Sequence, residues 1–259
     1  MRKYIGIVAK RIFGRRILLP KFLASGTEAS NLINMIVKVR KLSGAYLEIG
    51  VENGLTFEAV SLAKKLGVDP NPRYISTFIT LNAKSVKLES DNFFAKNKTI
   101  FDIVYLDGLH TYEQTLRDLI NTFNVVSDSG VIIIDDTIPI DEYSALPDQK
   151  EAYKSRLEFS NSDETSWHGD VFRVVSVVGE WNISFLRMAT ITDLSNPKTV
   201  LWIDKGHTWM EVTQMIHKVD ASEFTYLSEF IAGIPAKFMP TTSSNLFATL
   251  PPSYKNILG

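Results

Sequence analysis

Residues 45–70 read AYLEIGVENGLTFEAVSLAKKLGVDP. The first seven (45–51) are almost free of polar interruption, the pattern of a strand covered on both faces. Asn53 stands where it can cap a helix, and Leu55, Ala59, Leu62, Ala63 and Leu66 recur at helical spacing up to Gly67. That pattern predicts a helix from Asn53 to about Leu66. GVDP (67–70) then reads as the end of a second strand. Strand, helix and strand in one short run make a crossover unit, and such units build parallel sheets.

The same alternation continues outward. Upstream, EASNLINMIVKVRKL (28–42) places Leu32, Ile33, Ile36 and Val39 on one helical face, and Gly44 supplies the stop. Downstream, SVKLES (85–90) is a weaker third strand and FDIVYLD (101–107) a strong fourth. Thr111-Tyr112-Glu113-Gln114 fits a capping box ahead of Leu116, Leu119, Ile120, Phe123 and Val126 at helical spacing. Gly130 opens VIIIDDT (131–137), a fifth strand. The expected class is therefore α/β, a Rossmann-like, doubly wound, mostly parallel sheet. After Pro139 a polar stretch without a clear period runs to Asp170, read as an insertion or lid. WNISFLRM (181–188) and TVLWID (199–204) suit an antiparallel closing pair. Beyond Gly206 come a helix (Trp209, Val212, Ile216, Val219) and a Pro/Ser-rich tail. Three segments result: a basic arm and helix (1–43), a central α/β domain (44–205) and a helical appendage with a tail (206–259).

Composition narrows the class further. The 259 residues are 45% apolar and 22% charged, enough to bury a core and too apolar for disorder. With no cysteine, disulfides, zinc–thiolate sites and cysteine nucleophiles are excluded, and a reducing cytoplasm fits. No apolar run reaches the roughly 18–20 residues of a membrane-spanning helix. Residues 1–27 carry seven basic side chains and no acid, which leaves 21 basic against 29 acidic residues elsewhere. This arm reads as a solvated, frayed terminus, with weak contact to an anionic membrane surface as the alternative. Its apolar stretch is too short and too basic for a signal peptide. The basic residues lack interleaved aromatics, so no nucleic-acid partner is expected. A homo-oligomer is compatible with everything above.

The chemistry gathers where ligands bind on open parallel sheets, outside the carboxyl ends of the strands. Those ends carry Glu48, then Asp69, then Ser90-Asp91, then Asp107-Gly108-Leu109-His110, then Asp135-Asp136-Thr137. Packing requires none of these acids, and carboxylates gathered on one edge repel unless a cation joins them. In the first turn, Gly50-Val51-Glu52-Asn53-Gly54, Glu52 stands where a dinucleotide fold needs its second glycine. A carboxylate there would oppose a pyrophosphate, so an uncharged or cationic ligand is preferred. Asp69 is placed to accept hydrogen bonds from two ribose hydroxyls.

Taken together, YLEIGVENGLTFEAV (46–60), GVDP (67–70), SDNFFA (90–95), FDIVYLDGLHTYEQTLRDL (101–119) and GVIIIDDTIP (130–139) resemble class I S-adenosylmethionine-dependent methyltransferases. The similarity is to the bacterial branch associated with O-methylation in glycan and secondary-metabolite pathways, and WHGDVFRV (167–174) looks like a segment of that branch. The resemblance makes residues 44–205 the methyltransferase domain. It implies that Glu48, Gly50, Asn53 and Gly54 line the methionine half of the cofactor, with Asp69 at the ribose and Ser90 and Asp91 near the adenine. It also implies a magnesium ion on Asp107, Asp135 and Asp136, polarising a hydroxyl whose proton His110 takes as general base. Many relatives have Asp-Gly-Asp where this chain has Asp107-Gly108-Leu109, one carboxylate fewer. The expected acceptor is a small molecule or glycan, most simply a sugar hydroxyl. Trp167, Tyr112 and His168 are candidates for the acceptor side, whereas Gly108 is expected only to serve the turn, and His207 and His217 to be ordinary positions. The rival functions are a metal-independent methyltransferase of a small molecule, a nucleotide-binding oxidoreductase and a non-catalytic cofactor-binding member.

Overall fold

The computed structural model describes residues 26–73, 83–216, 234 and 236–251. The basic residues of the arm up to position 21, His217 and Val219 lie outside them. Helix α1 (Glu28–Arg40) precedes strand β1 (Ala45–Ile49), the short helix α2 (Leu55–Ala59), and strands β2 (Lys64–Asp69) and β3 (Ala83–Lys87). Helix α3 (Ser90–Phe94), β4 (Phe101–Leu106), α4 (Tyr112–Thr122) and β5 (Val126–Ile134) follow. Next come α5 (Gln149–Ser160), α6 (Phe172–Glu180), β6 (Leu186–Ile191), β7 (Lys198–Ile203) and α7 (Trp209–Met215). A 3-10 turn (Ala236–Phe238), β8 (Pro240–Thr241) and α8 (Ser243–Thr249) close the described chain.

The strands form one sheet in the order β3-β2-β1-β4-β5-β7-β6-β8. The first five pair in parallel, and β7 runs antiparallel to both β5 and β6. This is the expected Rossmann-like sheet with its antiparallel closing pair, to which β8 adds a short parallel strand beside β6. Side chains alternate across each strand, so the two faces carry separate cores. Leu47, Ile49, Val104, Leu106, Ile132 and Ile134 face α4, α6 and α7. Tyr46, Ile103, Tyr105, Val131 and Ile133 face the other way, against Leu32, Ile33 and Ile36 of α1 and Leu246 of α8. Both faces are covered, which is why these strands read as continuous apolar runs.

The predicted helix over 53–66 is cut short. Helix α2 ends at Ala59, and β2 already begins at Lys64, paired with Ala45. Leu62 and Leu66 are apolar at a spacing that serves a helix or an extended chain, and pairing with β1 decides between the two. Lys65 stabilises the break, since its ammonium donates to the carbonyls of Phe57 (2.8 Å), Glu58 (3.0 Å) and Val60 (3.1 Å). Strand β5 starts at Val126, placed above in a helix, and its register against β4 shifts between Phe101 and Ile103. Strand β6 starts at Leu186 rather than 181, because Trp181, Ile183 and Phe185 are buried ahead of it.

The polar stretch 139–170, expected to be irregular, contains α5 with Asp148 as its cap. Its apolar stripe is weak, and Leu157 and Phe159 are exposed, so the period was hidden. A single buried residue fixes the segment. The Arg156 guanidinium is 1% exposed, grips Asp141 through two 2.8 Å bonds, and donates to the carbonyls of Glu164 (2.7 Å) and Ser166 (2.9 Å). Replacing it with methionine strips those acceptors of their donor. Arg156→Met is expected to lower unfolding free energy by about 2–4 kcal/mol, read as a shift in the urea midpoint, and to open residues 161–167 to proteolysis.

Candidate active site

Parallel pairing brings successive strand ends level at one edge. Gly50 N donates to Val68 O (2.8 Å), Asp107 N to Ile49 O (2.9 Å) and Asp135 N to Leu106 O (2.9 Å). A cavity of about 890 Å³ opens there, and every predicted cofactor, metal or base position except Gly54 lines it. Gly50 has φ +84°, and an added Cβ would lie 1.7 Å from the Asp107 carbonyl oxygen. This glycine therefore serves the close approach of two strand ends before it serves any ligand. Gly54 takes φ 74° and precedes α2, with Asn53 Oδ1 accepting from Leu55 N (3.1 Å).

Asp69 stands at the end of β2, as expected. Its Oδ2 accepts from Val51 N (3.0 Å) and Glu52 N (2.9 Å), and Oδ1 from Asn71 N (2.7 Å). The carboxylate thus shapes the first turn from the neighbouring strand. Buried Glu48 accepts a 2.6 Å bond from the Tyr46 hydroxyl. Burial pushes the Glu48 carboxyl well above the usual range, with Asp107 and Asp135 adding to it and Tyr46 opposing.

At the other end of the cavity Ser90 and Asp91 begin α3. The predicted capping box of α4 does not form: the Thr111 side chain makes no cap bond, and Asp170 accepts from Tyr112 N (2.7 Å) instead. Gln114 is thereby free to reach across to Ser90 Oγ (3.0 Å), Asp91 Oδ1 (3.3 Å) and Asp118 Oδ1 (3.0 Å). Asp118 is buried in the same wall, and sequence reasoning missed it because it reads as an ordinary helix acid. Burial pushes its carboxyl up to about 6 against the pull of Ser90 and Gln114.

The acids after β4 and β5 divide into two groups. His110 Nε2 lies 3.0 Å from Asp136 Oδ2 and 3.2 Å from Asp107 Oδ1. Its Nδ1 faces the Trp167 carbonyl at 3.2 Å, and its ring stacks on Trp167 with centroids 4.9 Å apart. Ligand atoms of Asp107, His110 and Asp136 all lie within 4.8 Å of one another. Asp135, also expected as a metal ligand, is engaged with other partners: it accepts from the Tyr105 hydroxyl, the Lys198 ammonium and Asn196 Nδ2 (3.2 Å). No local pattern pointed to Lys198, which sits on β7. Two carboxylates and an imidazole on a cavity wall suit a divalent cation.

Burial pulls the His110 ring down, but Asp136, then Asp107 and Asp135, outweigh it and push it up to about 10. The carboxylates beside Nε2 thus favour the protonated ring. Gly169 (φ +62°) fixes the two loops together, since a Cβ there would come 1.6 Å from the His110 carbonyl oxygen. His168 is buried, its ring pulled down to about 4 by burial, with Nε2 4.0 Å from Asp136 Oδ1. His207 stacks on Phe185, with centroids 3.9 Å apart, and does not line the cavity.

Asp118 yields a signed pH dependence. Its folded value near 6 exceeds the ordinary 3.8, so its contribution to stability is complete below about pH 4 and lost as pH rises through 6. Asp118→Asn, which keeps the shape and an acceptor, is expected to exceed the wild type by about 1–3 kcal/mol at neutral pH. The gap should close in acid when urea midpoints are compared along a pH series.

Residues 47–137 match a family model described as a methyltransferase domain. No curated protein matches the sequence. Among solved structures, the chain is similar to cofactor-bound Rv0187 from MTB, at 13% identity and TM-score 0.47, covering 69% of this chain and 81% of that one. It is similar to a candidate O-methyltransferase from Klebsiella pneumoniae, at 11% identity and TM-score 0.46, over 68% and 80% of the two chains. It is also similar to the O-methyltransferase TomG from Streptomyces achromogenes, solved with S-adenosylmethionine, at 9% identity and TM-score 0.46, over 72% and 91%. The matched methyltransferase domain runs from β1 to just past β5, the strands whose carboxyl ends form the cavity.

Proposed function

We propose that this enzyme methylates an oxygen of a small-molecule or glycan acceptor, most simply a sugar hydroxyl, with a divalent cation assisting. The observation that carries the reading is the Asp107–His110–Asp136 cluster, set on the wall of the same cavity as the Glu48–Gly54 turn. In this reading the methionine half of the cofactor lies over Glu48, Gly50, Asn53 and Gly54, whose carboxyl and amide oxygens can accept from its ammonium group. The ribose lies at Asp69, whose Oδ1 accepts one backbone bond and keeps a lone pair for a hydroxyl. The adenine lies against Ser90 and Asp91, backed by Gln114 and Asp118.

The acceptor enters from the side bordered by Gln149, Tyr153, Thr165 and Trp167. Its oxygen attacks the methyl carbon in line, the carbon–sulfur bond breaks as the carbon–oxygen bond forms, and the electron pair passes to sulfur. S-Adenosylhomocysteine leaves as a neutral thioether, and the hydroxyl proton passes to the acidic cluster. A cation bound by Asp107, His110 and Asp136 would lower the hydroxyl's pKa. The protein's own share is alignment: Trp167 stacked on His110 and the Arg156-held segment behind it fix the distance between acceptor and donor.

Among the described residues no helix is long and apolar enough to cross a membrane. A cytoplasmic enzyme acting on a diffusible acceptor is part of the same proposal. Calorimetric titration with S-adenosylhomocysteine tests the cofactor half. Micromolar binding is expected, weakened at least tenfold in Asp69→Ala, and absence of binding to the wild type overturns the reading. Methyl transfer from labelled cofactor to sugar acceptors, with acid-stable product, tests the oxygen assignment.

A further inference from the structure

We infer that Asp135 is not a metal ligand in this enzyme: Lys198 serves as its resident counter-ion, and the cation site is the mixed set Asp107, His110 and Asp136. The inference rests on the metal-assisted reading above and gives that metal a different coordination and a different preferred identity.

Both oxygens of Asp135 are engaged. Oδ2 accepts from the Tyr105 hydroxyl, and Oδ1 faces the Lys198 ammonium, Asp136 N (2.9 Å) and Asn196 Nδ2 (3.2 Å). Lys198 is only 3% exposed and Tyr105 1%, so neither can turn to water if the carboxylate leaves. Turning Asp135 toward a metal would strand a buried ammonium, and a buried charge robbed of its partner is among the costlier defects in a fold. The opposite holds for His110. The Trp167 carbonyl can only accept, so Nδ1 carries the ring proton, and stacking on Trp167 fixes the ring plane. Nε2 then points at Asp136 Oδ2 and Asp107 Oδ1, at 3.0 and 3.2 Å. Three ligand groups converge within 4.8 Å, where a cation would take the place of the proton shared between Nε2 and the carboxylates, and an imidazole whose far nitrogen is held by a backbone carbonyl is the usual arrangement around a bound metal.

Two further buried atoms beside the cluster have no partner: Nδ1 of His168 and Oδ1 of Asn196. The His168 ring is 4% exposed and holds Nε2 4.0 Å from Asp136 Oδ1, a second imidazole directed at the same carboxylate. Nitrogen therefore replaces one of the oxygens expected of an all-carboxylate site. Imidazole favours later divalent ions over magnesium, so the site should select Mn²⁺ or Co²⁺ above Mg²⁺.

The test is metal binding by the full chain, read without turnover. Mn²⁺ is followed by the loss of its free-ion paramagnetic resonance signal, with Mg²⁺ as competitor, and S-adenosylhomocysteine binding is measured in parallel by calorimetry. One Mn²⁺ per chain is expected, held at least tenfold more tightly than Mg²⁺. Asp136→Asn and His110→Gln should each weaken it at least tenfold. The double variant Asp135→Asn with Lys198→Met removes the ion pair as a unit, leaves no buried charge behind, and should keep Mn²⁺ affinity within about threefold. Equal loss in the double variant and in Asp136→Asn overturns the exclusion of Asp135. Mg²⁺ bound as tightly as Mn²⁺, or an unaltered affinity in His110→Gln, overturns the nitrogen ligand. A wild type that binds S-adenosylhomocysteine but no metal overturns the cation site and leaves a proton between the carboxylates. Failure of S-adenosylhomocysteine to bind strikes the cofactor reading alone, because the metal titration does not use it.

Discussion

Register in a parallel sheet leaves no freedom in where strand ends fall, and in this protein it sets Asp107, Asp135 and Asp136 side by side at one edge. The backbone bonds that level those ends are made by the same residues, Asp107 N to Ile49 O and Asp135 N to Leu106 O. Burial raises the proton affinity of Asp107 and Asp136, and the neighbouring Asp135 adds to the effect. Much of the surrounding structure offsets that charge. Lys198 comes from β7 to neutralise Asp135, Asn196 bridges Asp135 and Asp136 from the turn before it, and His110 lies between the other two. The antiparallel closing pair thus has a chemical consequence beyond completing the sheet: it delivers the buried ammonium.

A second tier of contacts holds the cluster from the acceptor side. Trp167 fixes the His110 ring, and its own indole nitrogen donates to the Leu146 carbonyl (2.7 Å). Ser144 O accepts from both His168 N and Gly169 N at 2.9 Å. Asp170 caps α4 across 58 residues of chain. Behind all of these stands Arg156, the one strongly charged side chain that ties helix α5 to the loop carrying Trp167. The segment that looked irregular is a built wall, and its polar composition reflects hydrogen bonding to a buried guanidinium rather than looseness.

The same residues show how much could be read from the chain alone. Apolar runs of four to seven residues identified β1, β4 and β5, because strands buried on both faces carry no polar alternation that could mislead. Where an apolar pattern fitted two periods, as over 60–66 or at Val126, local spacing chose the helix and tertiary pairing imposed the strand. Helix α5 went unseen for the opposite reason, since its apolar side is partly exposed and its anchor is an arginine.

What the sequence by itself determined is the sheet, the edge on which chemistry collects, and the positions bordering the cavity, since strand ends and their acids follow from local pattern and from the parity of a pleated chain. What only tertiary structure decided is the division of labour among those positions. Asp135 and Asp136 are neighbours of identical chemistry. One is paired with a lysine 63 residues away, and the other faces a histidine whose ring is set by a tryptophan 57 residues further on. No local pattern encodes those partners. They are fixed by which buried charges can be satisfied once the sheet has closed, and that requires distances the sequence does not contain.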